Sequence, residues 1–156
     1  MRRAGILLTV VALFLLAGPL SGKTYAEVSW MSLKDGMAKA KTEKKPVLLD
    51  FFYGKGCPRC EFLQKQVYED PAISKKIMDD FIPIRVDLTK PLSDDEEKLG
   101  EKYEFKHDCL LLFLDENGEI LKDTLGKRLC FVDKVDPEWF ISYLDMAKAK
   151  YARSHK

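Results

Sequence analysis

The stretch Pro46-Val47-Leu48-Leu49-Asp50-Phe51-Phe52-Tyr53, then Gly54-Lys55-Gly56, then Cys57-Pro58-Arg59-Cys60, decides how this chain is read. The first part is a short, nearly continuous apolar run, the pattern of a strand buried on both faces. The glycine-containing turn leads into a helix expected from about Cys57 to Val67. A Cys-x-x-Cys at such a strand-to-helix junction has a specific use. Cys57 stands at the helix N-terminus, where unpaired N–H groups and the helix dipole stabilise a thiolate. Cys60 follows one turn on, close enough to bond to it. Pro58 suits the first turn because no N–H donor is needed there, and Arg59 adds a positive charge beside the pair. Phe62 and Leu63 are expected to bury Cys60. Cys57 is therefore read as the attacking and leaving thiol and Cys60 as the resolving one. Half of a zinc site and a static structural disulfide are the competing readings. A zinc ribbon needs a second Cys-x-x-Cys, which the sequence lacks, and a structural disulfide rarely spans two residues at a helix start. The strand-helix-strand context favours redox chemistry.

Outward from this stretch the elements alternate. Ser32 caps a helix to Lys44, with Leu33, Met37 and Ala40 on one face. Asp70 and Pro71 start a second helical piece to Asp80, as N-cap and first helical residue. Phe81 to Leu88 reads as a strand, Ser93 to about Tyr103 as a capped helix with an acidic start, and Cys109 to Leu114 as a strand. Asn117-Gly118 is a strong hairpin signal, since both residues accept positive φ, and it predicts a return strand in EILKDTL. Asp136-Pro137-Glu138 opens a C-terminal helix with Trp139, Phe140 and Leu144 in its core face. The order α-β-α-β-α-β-β-α predicts an α/β fold: a mixed central sheet with helices on both faces, in one domain.

The N-terminus reads differently. Arg2 and Arg3 precede an uncharged stretch from Ala4 to Gly22 that is broken by Gly18 and Pro19, and Thr24-Tyr25-Ala26 offers small-residue cleavage. This is the layout of a signal peptide over 1–26, leaving one domain over 27–156. An uncleaved membrane anchor is the alternative. Either way the remainder is expected to be exported, to the periplasm or beyond, into a compartment where disulfides persist. The chain has 156 residues with Lys plus Arg 26 and Asp plus Glu 25, so its near-neutral charge gives no reason to expect nucleic-acid binding.

Trp30, an Ala/Lys-rich helix, Lys45 to Phe51, Cys57-x-x-Cys60, Tyr68-x-Asp70-Pro71 and Ile84-x-Val86-Asp87, in that order, resemble exported thioredoxin-like proteins. The likeness is to the C-terminal thioredoxin-like domain of the thiol:disulfide interchange proteins and their single-domain relatives, and it spans nearly all of 30–145. The resemblance implies a thioredoxin fold, thiol–disulfide exchange with protein thiol or disulfide substrates, a membrane or periplasmic redox partner, and no cofactor.

Three departures stand out. Thioredoxin-like proteins carry a cis-proline facing the cysteine pair, but no proline occurs between Pro91 and Pro137, and alignment puts Cys109 in its place, with His107 nearby. Cys109 is then a small buried hydrophobe, a third redox thiol able to attack the pair or to bond Cys130, or a ligand that with Cys57 and Cys60 holds copper or zinc. The last reading makes the chain a metal-binding protein, and a scaffold that docks a partner without turnover is a further rival. The family's buried acid lies six residues before the first cysteine, where this chain has Phe51. Asp50 is thus either brought in by a bulge or not the proton acceptor. Gly56 replaces the usual tryptophan, which predicts a more mobile and exposed Gly54-Lys55-Gly56 loop.

Overall fold

The computed structural model describes residues 27–105, 110–131 and 133–155; the expected signal peptide over 1–26, and the expectations at His107 and Cys109, lie outside them. The helices start where their capping residues predict. Ser32 Oγ accepts from the Asp35 amide at 3.2 Å and opens α1 (Leu33–Glu43). Asp70 accepts from the amides of Ala72 and Ile73 and opens α3 (Pro71–Asp80), counting α2 (Pro58–Leu63) as the helix after the cysteine turn. Ser93 and Glu96 exchange bonds in a capping box at the head of α4 (Asp94–Lys102). Asp136 caps α5 (Pro137–Ser154). In each case side-chain oxygens answer amides that the helix itself leaves without partners.

Strand β1 (Val47–Phe52) runs parallel to β2 (Ile82–Asp87) and antiparallel to β3 (Leu111–Leu114), which pairs with a short β4 (Cys130–Phe131), giving the order β2-β1-β3-β4. The alternation of side chains splits the core into two layers. Val47, Leu49 and Phe51 join Ile82, Ile84 and Val86 beneath Leu33 and Ala40 of α1 and Tyr103 after α4. Leu48, Leu111 and Phe113 pack on the other face against Leu63, Val67, Ile73, Ile77, Phe140 and Leu144. The expected mixed sheet with helices on both faces is present. Gly36 lets α1 lie close on β2, because a Cβ there would stand 2.4 Å from Ile84 Cγ1. Met31 bridges to Ile84 and covers the free edge of β2.

The structure departs from the expectations in three places. The expected continuous helix from Cys57 to Val67 becomes α2 followed by a π-helical turn at Gln64–Tyr68. The chain does turn at Asn117-Gly118, with Gly118 at φ 81°, but the return segment forms isolated bridges rather than a strand, Ile120 to Leu114 and Lys122 to Arg128. A second turn around Asp123 to Gly126 follows, and the strand that pairs with β3 is formed later, at Cys130 and Phe131. Cys130, which follows the EILKDTL segment expected to hold the last strand, is thus itself in the last strand. Trp139 is 67% exposed and is not core, whereas Phe140 and Leu144 are fully buried.

Candidate active site

Cys57 and Cys60 are bonded to each other, with Cα atoms 5.2 Å apart. Cys57 is the N-cap of α2, and its Sγ accepts from the Cys60 amide at 3.2 Å. Pro58 occupies the first helical turn, as expected. The two sulfurs have unlike surroundings. Cys57 is half-buried, while Cys60 is 2% exposed and its Sγ accepts from the Tyr53 amide at 3.4 Å. The turn between strand and helix makes contacts at both ends, and Gly54 departs from the exposure expected of the loop. Gly54 is buried at φ 77°, where a Cβ would meet the Thr89 methyl at 2.5 Å. The Gly56 amide donates to Glu61 Oε1 at 3.1 Å. Lys55 and Gly56 are exposed as anticipated.

Asp50 reaches this site without a bulge. The register of β1 is unbroken against both neighbours, with Asp50 opposite Arg85 and Leu111. Phe51 faces the other layer, its ring 5.2 Å from that of Phe105. Asp50 therefore lies on the face covered by α2, and it is 1% exposed. Its Oδ1 takes Arg59 Nη2 at 3.3 Å and its Oδ2 takes Arg85 Nη2 at 3.2 Å. Burial pushes the Asp50 carboxyl above the usual carboxylate range, while the two guanidiniums pull it back. Burial likewise drives the Tyr68 hydroxyl well up, with the nearby Asp50 charge adding to it. Arg59, expected to add a positive charge beside the pair, is turned inward and 7% exposed.

Sequence reasoning missed Arg85 and Gln64. The Arg85 guanidinium lies 4.0 Å from the Trp30 ring centroid and 4.3 Å from that of Phe52. Its two terminal nitrogens donate to Gln64 Oε1 at 3.3 and 3.4 Å. Arg85 thereby ties the π turn at the back of the redox helix to Asp50, which holds Arg59 at the front. A signal for it existed: Asp50 is the charge inside the first apolar strand run and Arg85, with Asp87 at the strand end, a charge in the second, and charges are buried in such runs when paired. A cleft of about 540 Å³ opens beside Cys60, lined by Phe52, Gly54, Lys55, Gln64 and Arg85 among others. A larger cleft of about 710 Å³ lies between α1 and α4 and touches neither cysteine.

Cys130 is disulfide-bonded and half-buried against the Leu112 layer. Cys109 and His107, two of the expected neighbours of the pair, lie outside the described residues. Cys109 is also the third sulfur of the metal-binding alternative. Among the described residues no group of three or more His, Cys, Asp or Glu side chains is arranged to hold a metal ion.

Residues 29–108 match the family model described as Thioredoxin-like. Over 67 residues, 43% of this chain, the sequence is 36% identical to a thiol:disulfide interchange protein DsbD of Vibrio vulnificus; the match covers 11% of that protein, so this chain corresponds to a small part of it. Among solved structures, a thioredoxin from Thermus thermophilus superposes with a TM-score of 0.62 at 17% identity, covering 83% of this chain and 94% of that one. A DsbH oxidoreductase gives 0.59 at 18% identity, covering 94% and 95%. The C-terminal domain of Neisseria meningitidis DsbD in its oxidised form gives 0.53 at 21% identity, covering 75% and 97%. These likenesses bear out the fold that the sequence implied.

Proposed function

We propose that this chain, which belongs to the thioredoxin-like family, is an exported thiol–disulfide oxidoreductase that exchanges disulfides with protein substrates through Cys57 and Cys60. The observation that carries the reading is the asymmetry of the bonded pair: a half-buried cysteine at a helix start joined to one that is fully buried. In the reducing direction the Cys57 thiolate attacks a substrate disulfide. A Cys57–substrate bond forms and one substrate thiolate leaves. Cys60 then attacks Cys57 Sγ, the mixed disulfide breaks, and the second substrate thiolate leaves. The substrate gains two electrons and the pair loses two. The oxidising direction is the same sequence reversed.

The Cys60 amide at 3.2 Å supports negative charge on Cys57 Sγ before it attacks the substrate disulfide. Burial of Cys60 keeps substrates from attacking the wrong sulfur. In this reading residues 1–26 form a signal peptide, and a membrane or periplasmic dithiol or disulfide partner resets the pair after each turnover. The test is turnover of a disulfide-bonded protein such as insulin by the purified chain with a dithiol supplied. Reduction well above the uncatalysed rate is expected, abolished by Cys57→Ser. Rates equal to the dithiol alone would defeat the reading. Sequencing the N-terminus of the exported protein checks cleavage after Ala26.

A further inference from the structure

A hairpin finger leaves the edge of the sheet between Leu121 and Leu129. Its two ends are tied to Phe113: the Leu121 amide donates to the Phe113 carbonyl at 2.8 Å, and the Phe113 amide to the Leu129 carbonyl at 3.1 Å. Lys122 bridges to Arg128. The turn beyond is held by Asp123, whose Oδ1 accepts from the Leu125 and Lys127 amides at 2.8 and 2.9 Å. Thr124 to Lys127 are all exposed. Leu125 at the tip is 90% exposed, the most exposed large apolar side chain among the described residues. A leucine held in water on an ordered turn adds nothing to the core. Cations gather at the root of the finger. Lys122, Lys150 and Arg153 line a groove of about 480 Å³ with Ile120 and Leu121, and Lys127 stands beside the tip. Among the described residues none of these four cations makes an ion pair. The carboxylates nearby are engaged: Glu119 with Lys102 at 2.7 Å, Glu104 with Arg128 at 3.1 Å, and Asp115 with the Asn117 and Glu119 amides of its own turn. Setting Lys122 across from Arg128 also places like charges together, which disfavours the hairpin.

We propose that this finger and the groove at its root form a contact surface for an anionic phospholipid bilayer, with Lys122, Lys127, Lys150 and Arg153 against the headgroups and Leu125 entering the boundary between headgroups and acyl chains. Both parts are needed for the assignment. Unpaired cations are drawn to any anionic surface, whereas an apolar tip projecting among them fits one with an apolar interior. The surface lies away from the cysteine pair. Asp115 and Ile120 border the groove at the Leu114 end of β3, whereas Asp50 pairs with Leu111 at the other end. A chain seated this way holds Cys57 away from the bilayer, open to substrates. The proposal does not draw on the exchange chemistry.

The experiment uses Leu125→Trp to report on the tip, with the wild-type signal of Trp30 and Trp139 subtracted. Vesicles are of phosphatidylcholine alone or in equal mixture with phosphatidylglycerol. A shift of emission to shorter wavelength is expected with the mixed vesicles and not with phosphatidylcholine alone. Raising salt from about 0.1 M to about 1 M is expected to reverse it, as the Debye length falls from about 10 to about 3 Å. Each cation near an anionic surface contributes about fivefold to partitioning, so adding Lys122→Gln and Lys127→Gln is expected to raise the lipid needed for half the shift by roughly 25-fold. Adding Lys55→Gln and Lys65→Gln instead, beside Cys60, is expected to change it by less than about twofold. Every substituted side chain is exposed, so the fold is kept. The shift is read at the tip itself and therefore reports this contact whether or not residues 1–26 have been removed. No shift with the mixed vesicles, an equal shift with both kinds, or an equal loss from the Lys55 and Lys65 pair overturns the proposal. A shift as large with soluble poly-glutamate overturns it too, and assigns the face to an acidic protein instead.

Discussion

Replacing Arg85 by Met tests the charge cluster most sharply, because an unbranched stem is kept and the guanidinium alone is lost. The structure sets the size of the effect. Arg85 gives up a charge-assisted bond to Asp50 at 3.2 Å and two long bonds to Gln64, together worth about 2–4 kcal/mol. It also gives up its place over Trp30 at 4.0 Å, worth about 1–2 kcal/mol when desolvated. Against this, a guanidinium no longer has to be dehydrated, and Met regains apolar contact with the same rings. Asp50 remains paired with Arg59, so no buried charge is left bare, and the net loss is expected near 2 kcal/mol rather than the 3–5 kcal/mol of a broken buried pair. Arg59→Met, with no ring beneath it among the described residues, is expected to lose about 1 kcal/mol. The double variant leaves the Asp50 carboxylate with neither cation, and its loss is expected to exceed the sum of the singles by at least about 1 kcal/mol. Its pH dependence has a definite sign. Burial already lifts the Asp50 carboxyl, and losing both cations lifts it further, so the native state holds a proton that the unfolded state releases. Stability of the double variant therefore falls as pH rises from about 4, the unfolded value, through the raised native value. Urea unfolding followed by Trp fluorescence is the assay, since Trp30 reports on this site and Trp139 is largely exposed. Losses below about 0.5 kcal/mol for Arg85→Met, or strict additivity in the double variant, would refute the reasoning.

Two further outcomes follow from other parts of the fold. His155 donates through Nδ1 to the Tyr151 carbonyl at 2.8 Å and through Nε2 to the buried Glu116 carboxylate at 2.9 Å. The Tyr151 carbonyl and then Glu116 hold its pKa above the ordinary value; its stabilising contribution is thus complete below about pH 6.5 and lost as pH rises through the raised native value. His155→Gln is expected to remove that component from urea curves taken on either side of the window. Gly36→Ala places a Cβ 2.4 Å from Ile84 Cγ1, and thermal unfolding is expected to show a loss of about 1–3 kcal/mol from overpacking, partly relieved in a Gly36→Ala, Ile84→Val pair.

What the sequence made legible was local. Asp70-Pro71, Ser93 with Glu96, and Asp136-Pro137 each specify a helix start through bonds spanning two or three residues, and their helices begin as read. The cysteine pair was legible for the same reason, its junction being written in consecutive residues. The return strand was not. Asn117-Gly118 forms its turn, but the partner of Leu112 is set by pairing with Cys130 across a second turn, a non-local choice that the turn residues do not encode. The inward turn of Arg59 was not legible, because side-chain direction depends on what lies beneath the helix, here Asp50, one residue off the family's usual position. The lengthened turn before Cys57 absorbs the offset, so no bulge in β1 is needed. Trp139 shares the helical period of Phe140 and Leu144 but falls on the outward face of α5, where periodicity alone does not separate neighbours at the edge of an apolar stripe.

Exchange through this pair requires Cys57 to be the sulfur that substrates meet and Cys60 the one that releases them. Reduced Cys60→Ser and Cys57→Ser variants, each mixed with a disulfide-bonded peptide and quenched in acid, place the covalent adduct by mass spectrometry. The expected result is a stable, dithiol-reversible peptide adduct on Cys57 in Cys60→Ser, and little or none on Cys60 in Cys57→Ser. An adduct of equal yield on Cys60, or no adduct on Cys57, contradicts the account.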